Sequence, residues 1–108
     1  MTDAIEKLYD VILDRKKNLL EGSYTAYLFE KGIDKILKKV GEECSEVIIS
    51  AKNGSNAETV YEISDLIYHL LVLMGEMGIT PAEVEAELAS RAEKQRNLKQ
   101  IRVTDKNT

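Results

Sequence analysis

Sulfur and imidazole are scarce in this chain: among 108 residues there is one cysteine, Cys44, and one histidine, His69. A lone cysteine cannot close an internal disulfide, and one residue of each kind cannot furnish the nitrogen and sulfur donors of a zinc site. Tryptophan is absent and proline occurs once, at Pro81. No apolar run reaches the roughly 18 residues that would mark a membrane span. The opening stretch, MTDAIEKLYD, has no apolar core behind a basic segment, so no secretory signal is read. A cytoplasmic protein with no membrane partner is expected. Basic residues are also in deficit, 15 against 19 acidic ones, for a net charge of −4. That balance argues against a nucleic-acid polymer as partner. The local cluster Lys31, Lys35, Lys38 and Lys39 still suits a small polyanion.

Helical periodicity, by contrast, runs almost throughout, and sustained alternation of period two is missing, so the chain reads as all-α. Residues 1–97 are expected to form one domain, and residues 98–108 a polar, frayed tail. A first helix is expected from Asp3 to Leu20, broken by EGSY, and a short turn of helix carries Ala26, Leu28 and Phe29 up to Gly32. Asp34 is expected to cap a long helix ending near Asn53, with Gly54 after it. NGSNAE is the hairpin loop, and a fourth helix covers Ala57–Met77. TPAE, with a threonine cap, proline at the first position and glutamate at the third, starts a last helix to Asn97. Ile49 and Val72 fall off the apolar stripes of their helices. Their extra face is most simply covered by a second copy of the chain.

Like charges three and four residues apart destabilise a helix, yet Glu42, Glu43 and Glu46 crowd one stretch. At about 100° per residue, Ile36, Leu37, Val40, Cys44, Val47, Ile48 and Ala51 define an apolar arc. Glu43 lies at its edge, Glu46 and Glu42 further out, and Lys35 and Lys39 on the same flank. The fourth helix repeats this pattern with Glu62, Asp65 and His69. Glu46 is eight residues before Gly54 and Glu62 eight after it, so an antiparallel hairpin brings their carboxylates to similar heights. Glu43, Glu46, Glu62 and Asp65 can then converge. Hard cations such as Mg²⁺ bind through a few carboxylates plus substrate phosphates, and the lysines would hold remaining phosphate oxygens. The same residues also suit an ordinary solvated face, with Lys39–Glu43 and Lys38–Glu42 pairs. His69 is read as a hydrogen-bonded histidine at the groove's rim, with phosphate or base contact as the alternative. Cys44 reads as a small core residue. Tyr24, Tyr27, Phe29, Tyr61 and Tyr68 could stack on a base, but aromatics at helical spacing read as core, and only Tyr24, in a loop beside Gly22, is placed to bind one.

EECSE followed after fifteen residues by EISD matches the Glu-x-x-Glu…Glu-x-x-Asp signature of the MazG-like all-α nucleotide pyrophosphohydrolases. Within that group, GSYTAYLFEKG, DKILKKVGEECSEVIISAKNG and ISDLIYHLLVLMGEMGITPAEVEAEL resemble the phosphoribosyl-ATP pyrophosphohydrolase family of histidine biosynthesis, from about Asp3 to Arg96. The resemblance implies an antiparallel helical bundle completed by dimerisation. It also implies Mg²⁺-dependent hydrolysis of phosphoribosyl-ATP to phosphoribosyl-AMP and pyrophosphate. Glu43, Glu46, Glu62 and Asp65 would hold the metal, with Glu42 as a further acid or helper base. Lys31, Lys35, Lys38 and Lys39 are candidates for phosphate contacts, and Tyr24 and His69 for other substrate contacts. Two alternatives remain: a house-cleaning nucleoside triphosphate pyrophosphohydrolase of the same superfamily, and a helical interaction module without turnover.

Overall fold

The computed structural model describes residues 3–97, and every regular element in that range is a helix. The tail expected at 98–108 lies outside the described residues. Five helices follow one another: α1 (Asp3–Lys17), α2 (Tyr24–Lys31), α3 (Ile33–Lys52), α4 (Asn56–Met77) and α5 (Pro81–Asn97). The α3–α4 hairpin is the most extensive helix pair; α1 and α2 pack on it, and α5 touches α1. No single helix among the described residues is long and apolar enough to cross a membrane.

The ends of the helices follow local chemistry. Ser23 caps α2, its hydroxyl accepting from the Ala26 amide at 3.1 Å, and Ser55 does the same for α4 through the Glu58 amide at 3.2 Å. At the start of α5 the Thr80 amide donates to the Glu83 carboxylate at 2.7 Å and the Glu83 amide to the Thr80 hydroxyl at 3.3 Å. This is the reciprocal pairing that TPAE announces. Between α2 and α3 the chain turns on Gly32, whose φ of +90° a side chain would strain.

Several boundaries differ from expectation. α1 stops at Lys17, three residues early, and Leu19 and Leu20 are exposed. Asp14 ends it, accepting from the Asn18 side chain at 3.0 Å while its backbone carbonyl accepts the Asn18 amide at 2.7 Å. Tyr24 is the first residue of α2 and not part of a loop. Asp34 lies inside the first turn of α3 rather than at its cap, which is Gly32. There its charge still favours the positive end of the helix dipole.

The core gathers Tyr9 and Ile12 of α1, Leu28 of α2, Ile36 of α3, and Leu71 and Val72 of α4. Val72 is therefore a core residue within one chain and needs no second copy to cover it. α1 and α2 approach the C-terminal half of α4 over Gly75. A Cβ there would meet the Phe29 ring at 3.3 Å, and the Gly75 carbonyl accepts from Lys16 Nζ at 2.8 Å. On α3 the inward line is Ile36, Glu43 and Ser50, all buried. Residues seven apart lie within about 20° on a helix, so this line runs along one edge of the apolar arc, at Ile36, and not through its middle. Leu37, Ile48 and Ala51 of that arc are exposed, and so is Cys44, which is not a core residue.

Candidate active site

α1 and α2 cover only the C-terminal half of α4's inner face, so the half nearer the loop stands open beside α3. Glu43 points into this space from the inward line of α3 and is 8% exposed, an unusual burial for a carboxylate. Across from it, α4 contributes Glu62 and Asp65, three residues apart and both half-buried. Carboxylate oxygens of Glu43, Glu62 and Asp65 lie within 4.8 Å of one another. Glu46 is not in this group. It lines the neighbouring cavity together with Glu62.

The electrostatics carry the mark of that crowding. Loss of water contact pushes the Glu62 carboxyl above the usual carboxylate range, and the charges of Glu43, Glu46, Asp65 and Glu58 push it the same way. One cation is at hand: Lys39 Nζ lies 3.2 Å from Glu42 and 3.6 Å from Glu43. Its bond to Glu42 is the chief reason that its ammonium is held above the ordinary lysine value. Lys35 and Lys38 make no ion pair among the described residues. Lys31 stands over the Tyr27 ring at 5.8 Å.

Tyr24 and His69 meet beside the acids. The Tyr24 hydroxyl and His69 Nε2 are 3.0 Å apart, and His69 Nδ1 lies 2.8 Å from the Asp65 carbonyl oxygen. A carbonyl only accepts, so Nδ1 is the donor of that pair, and Nε2 takes the hydrogen of Tyr24. His69 is hydrogen-bonded as expected but buried, not at the rim. A second bond, between the hydroxyls of Thr25 and Tyr68, runs alongside. Tyr24 packs at 6.2 Å from both Tyr27 and Tyr68. Burial raises the Tyr24 hydroxyl, an effect that Lys39 opposes.

Sequence reasoning missed Thr25 and the cavity residues Ser50, Asn53 and Glu58, set Tyr61 and Tyr68 aside as core aromatics, and explained Ile49 otherwise. The signal was present: Asn53 lies seven residues from Glu46, and Glu58 four from Glu62. Chemically, the acid group offers oxygen ligands alone, which suits Mg²⁺ and disfavours softer ions.

The sequence pattern of the family described as phosphoribosyl-ATP pyrophosphohydrolase matches residues 5–92. The chain belongs to that family. The phosphoribosyl-ATP pyrophosphatase of Pelotomaculum thermopropionicum is 60% identical over 92 residues, covering 85% of this chain and 94% of the relative. The enzyme of the same name from Clostridium acetobutylicum is 56% identical over 100 residues, covering 93% and 91%. A histidine biosynthesis bifunctional protein HisIE, from Caldanaerobacter subterraneus, is 60% identical over 92 residues. There the match spans 85% of this chain and 45% of the longer protein. Against phosphoribosyl-ATP pyrophosphohydrolases, then, the likeness runs from α1 into α5 and takes in both acid-bearing helices.

Proposed function

We propose that this chain hydrolyses phosphoribosyl-ATP to phosphoribosyl-AMP and pyrophosphate in the cytoplasm, with Mg²⁺ at Glu43, Glu62 and Asp65. The observation that carries the reading is the convergence of these three carboxylates within 4.8 Å, in a chain of this family. When bound, Mg²⁺ would offset the acids' repulsion, bridge to substrate phosphate and lend the reacting phosphorus electrophilic character.

The chain's own residues do the rest. Lys39, tied to Glu42 and Glu43, supplies positive charge beside the acids for the pyrophosphate oxygens. Lys35 stands on the same flank of α3, one turn nearer α2, and Lys31 is the last residue of α2. The attacking water must give up a proton, and a carboxylate not spent on the cation suits that task. Glu46 borders the groove outside the three-acid group, while Glu42 is held by Lys39. Glu46 is therefore the preferred base. His69 and Tyr24 keep α2 closed against the turn that carries Asp65.

The functional unit is proposed to be a homodimer. Leu37 and Ile48 of α3 and Ile63 and Leu70 of α4 are exposed, between 37% and 68%. These exposed apolar side chains on both helices of the hairpin give a second copy something to cover. Pyrophosphate release is to be measured from phosphoribosyl-ATP, ATP and dUTP, each with Mg²⁺ and with EDTA. Release from phosphoribosyl-ATP alone, abolished by EDTA, is expected. Release from the other triphosphates would point to a house-cleaning activity, and none at all to an interaction module.

A further inference from the structure

We propose that Tyr24 is a positioning residue for Lys39: its hydroxyl oxygen accepts a hydrogen bond from the Lys39 ammonium and holds that charge beside the acid group. This deepens the reaction reading above and rests on the part that reading gives to Lys39. The α3–α4 hairpin puts the two groups at one level. Glu43 stands eleven residues before Gly54 and Asp65 eleven after it, Lys39 fifteen before and His69 fifteen after. Lys39 and His69 are thus each one turn from an acid of the group, displaced toward the same end of the antiparallel pair. Tyr24 reaches that end from α2, its hydroxyl 3.0 Å from His69 Nε2.

The histidine decides which way the Tyr24 hydroxyl faces. The Asp65 carbonyl, 2.8 Å from Nδ1, holds the hydrogen on that nitrogen, so Nε2 takes the hydrogen of Tyr24. Nothing is left for Tyr24 to donate to a phosphate oxygen, and its free lone pairs can meet only a donor. The ring is held 6.2 Å from Tyr27 and from Tyr68 and edge-on to His69, yet the residue is 45% exposed. Its oxygen is fixed in place and still open.

Lys39 is the donor on that side. Of the charged groups whose field reaches the Tyr24 hydroxyl, Lys39, Glu43 and Asp65, it alone has hydrogens to give. In return, the bond to Glu42 raises the Lys39 ammonium most, and Tyr24 adds to the rise. An ammonium carries three donors on a flexible four-carbon stem. Glu42 at 3.2 Å and Glu43 at 3.6 Å engage it from its own helix, and those contacts alone leave the stem free to swing along α3. An acceptor on α2 ties it across the mouth of the groove, which orders the charge before a ligand arrives.

The test is a double-mutant cycle on inorganic pyrophosphate affinity, read by calorimetric titration of the full chain with Mg²⁺ at a temperature where every variant is folded. Tyr24→Phe is expected to weaken pyrophosphate about fivefold, the order of one hydrogen bond, and Lys39→Ala about tenfold. The double variant should bind like Lys39→Ala alone, because the tyrosine acts only through the lysine. Tyr68→Phe, which loses the neighbouring bond to Thr25 but leaves the Tyr24 oxygen, should bind pyrophosphate like the parent. Unchanged affinity in Tyr24→Phe, its full loss added to that of Lys39→Ala, an equal loss in Tyr68→Phe, or no pyrophosphate binding by the parent protein overturns the assignment. Turnover is scored apart. Coupled losses without pyrophosphate release from phosphoribosyl-ATP support the positioning role and remove the reaction reading, whereas release with additive losses removes the positioning role alone.

Discussion

The Tyr24 hydroxyl lies 3.0 Å from His69 Nε2, joining the first residue of α2 to a buried imidazole whose other nitrogen is bonded to the Asp65 carbonyl. One chain of two hydrogen bonds thus ties the short helix to the turn that presents an acid. Nothing in local sequence pairs these residues, which are 45 positions apart.

Removing the donor should leave a buried acceptor without a partner. Tyr24→Phe keeps the ring between Tyr27 and Tyr68 and deletes only the hydroxyl. A loss of about 1–2 kcal/mol in unfolding free energy is expected, measured by urea denaturation. Tyr68→Phe, which breaks the bond to Thr25, should cost a similar amount. If both variants unfold like the parent, the two hydroxyl bonds do not hold α2 in place.

Glu62 links stability, pH and metal. Its folded-state carboxyl is raised, so the folded apo chain binds this proton more tightly than the unfolded chain does. The group therefore adds stability as pH falls through its raised value and withdraws it as pH rises. Bound Mg²⁺ competes for the same oxygen, so the Mg²⁺ needed for half-maximal stabilisation should rise over that window. Glu62→Gln should raise the apo melting temperature at neutral pH, flatten its dependence on pH, and abolish both turnover and the Mg²⁺-induced shift. Melting scans with and without Mg²⁺ across the acid range check each arm, and a lower apo melting temperature in Glu62→Gln would count against acid repulsion.

The lysines should separate by position. Lys39 is paired with Glu42 and Glu43, whereas Lys38 lies about 100° further round the helix and has no ion pair among the described residues. Lys39→Ala is expected to lower kcat/KM by about tenfold or more, the order of one charge-assisted contact to phosphate. Lys38→Ala should change it less than twofold, a surface substitution away from the site. Equal losses in the two variants would put the phosphates outside the groove.

The all-α class, the loop at Gly54 and the reciprocal cap at Thr80 and Glu83 were legible in the sequence because each depends on neighbours within four residues. The acids were legible for a related reason, since spacing along two helices joined by a short loop fixes their heights. Which way α3 turns about its own axis was not. The apolar arc from Ile36 through Cys44 to Ile48 predicted the inward face, but the structure turns only its edge inward, burying Ile36 together with Glu43 and Ser50. An apolar arc reports a face to be covered without saying by which surface. Val72 was misread for the same reason, since α1 and α2 cover a side of α4 that its own stripe does not mark. Long-range partners such as Tyr24 and His69 depend on that packing and carry no local pattern at all.

The exposed arc then makes its own prediction. Ile48 and Ile63 lie on α3 and α4, 68% and 41% exposed, and burying such side chains is worth about 1.5–3 kcal/mol each. A dimer that covers them has a driving force which the isolated chain lacks. Ile48→Lys would place a charge in that interface at little cost to a monomer, because the side chain touches no core there. Sedimentation equilibrium should therefore show a dimer for the parent and a monomer for Ile48→Lys, with the melting temperature falling because stability is shared with the second copy. A monomeric parent protein would refute the dimer. A charged variant that still dimerises would move the interface to another face, leaving the apolar arc without its proposed cover.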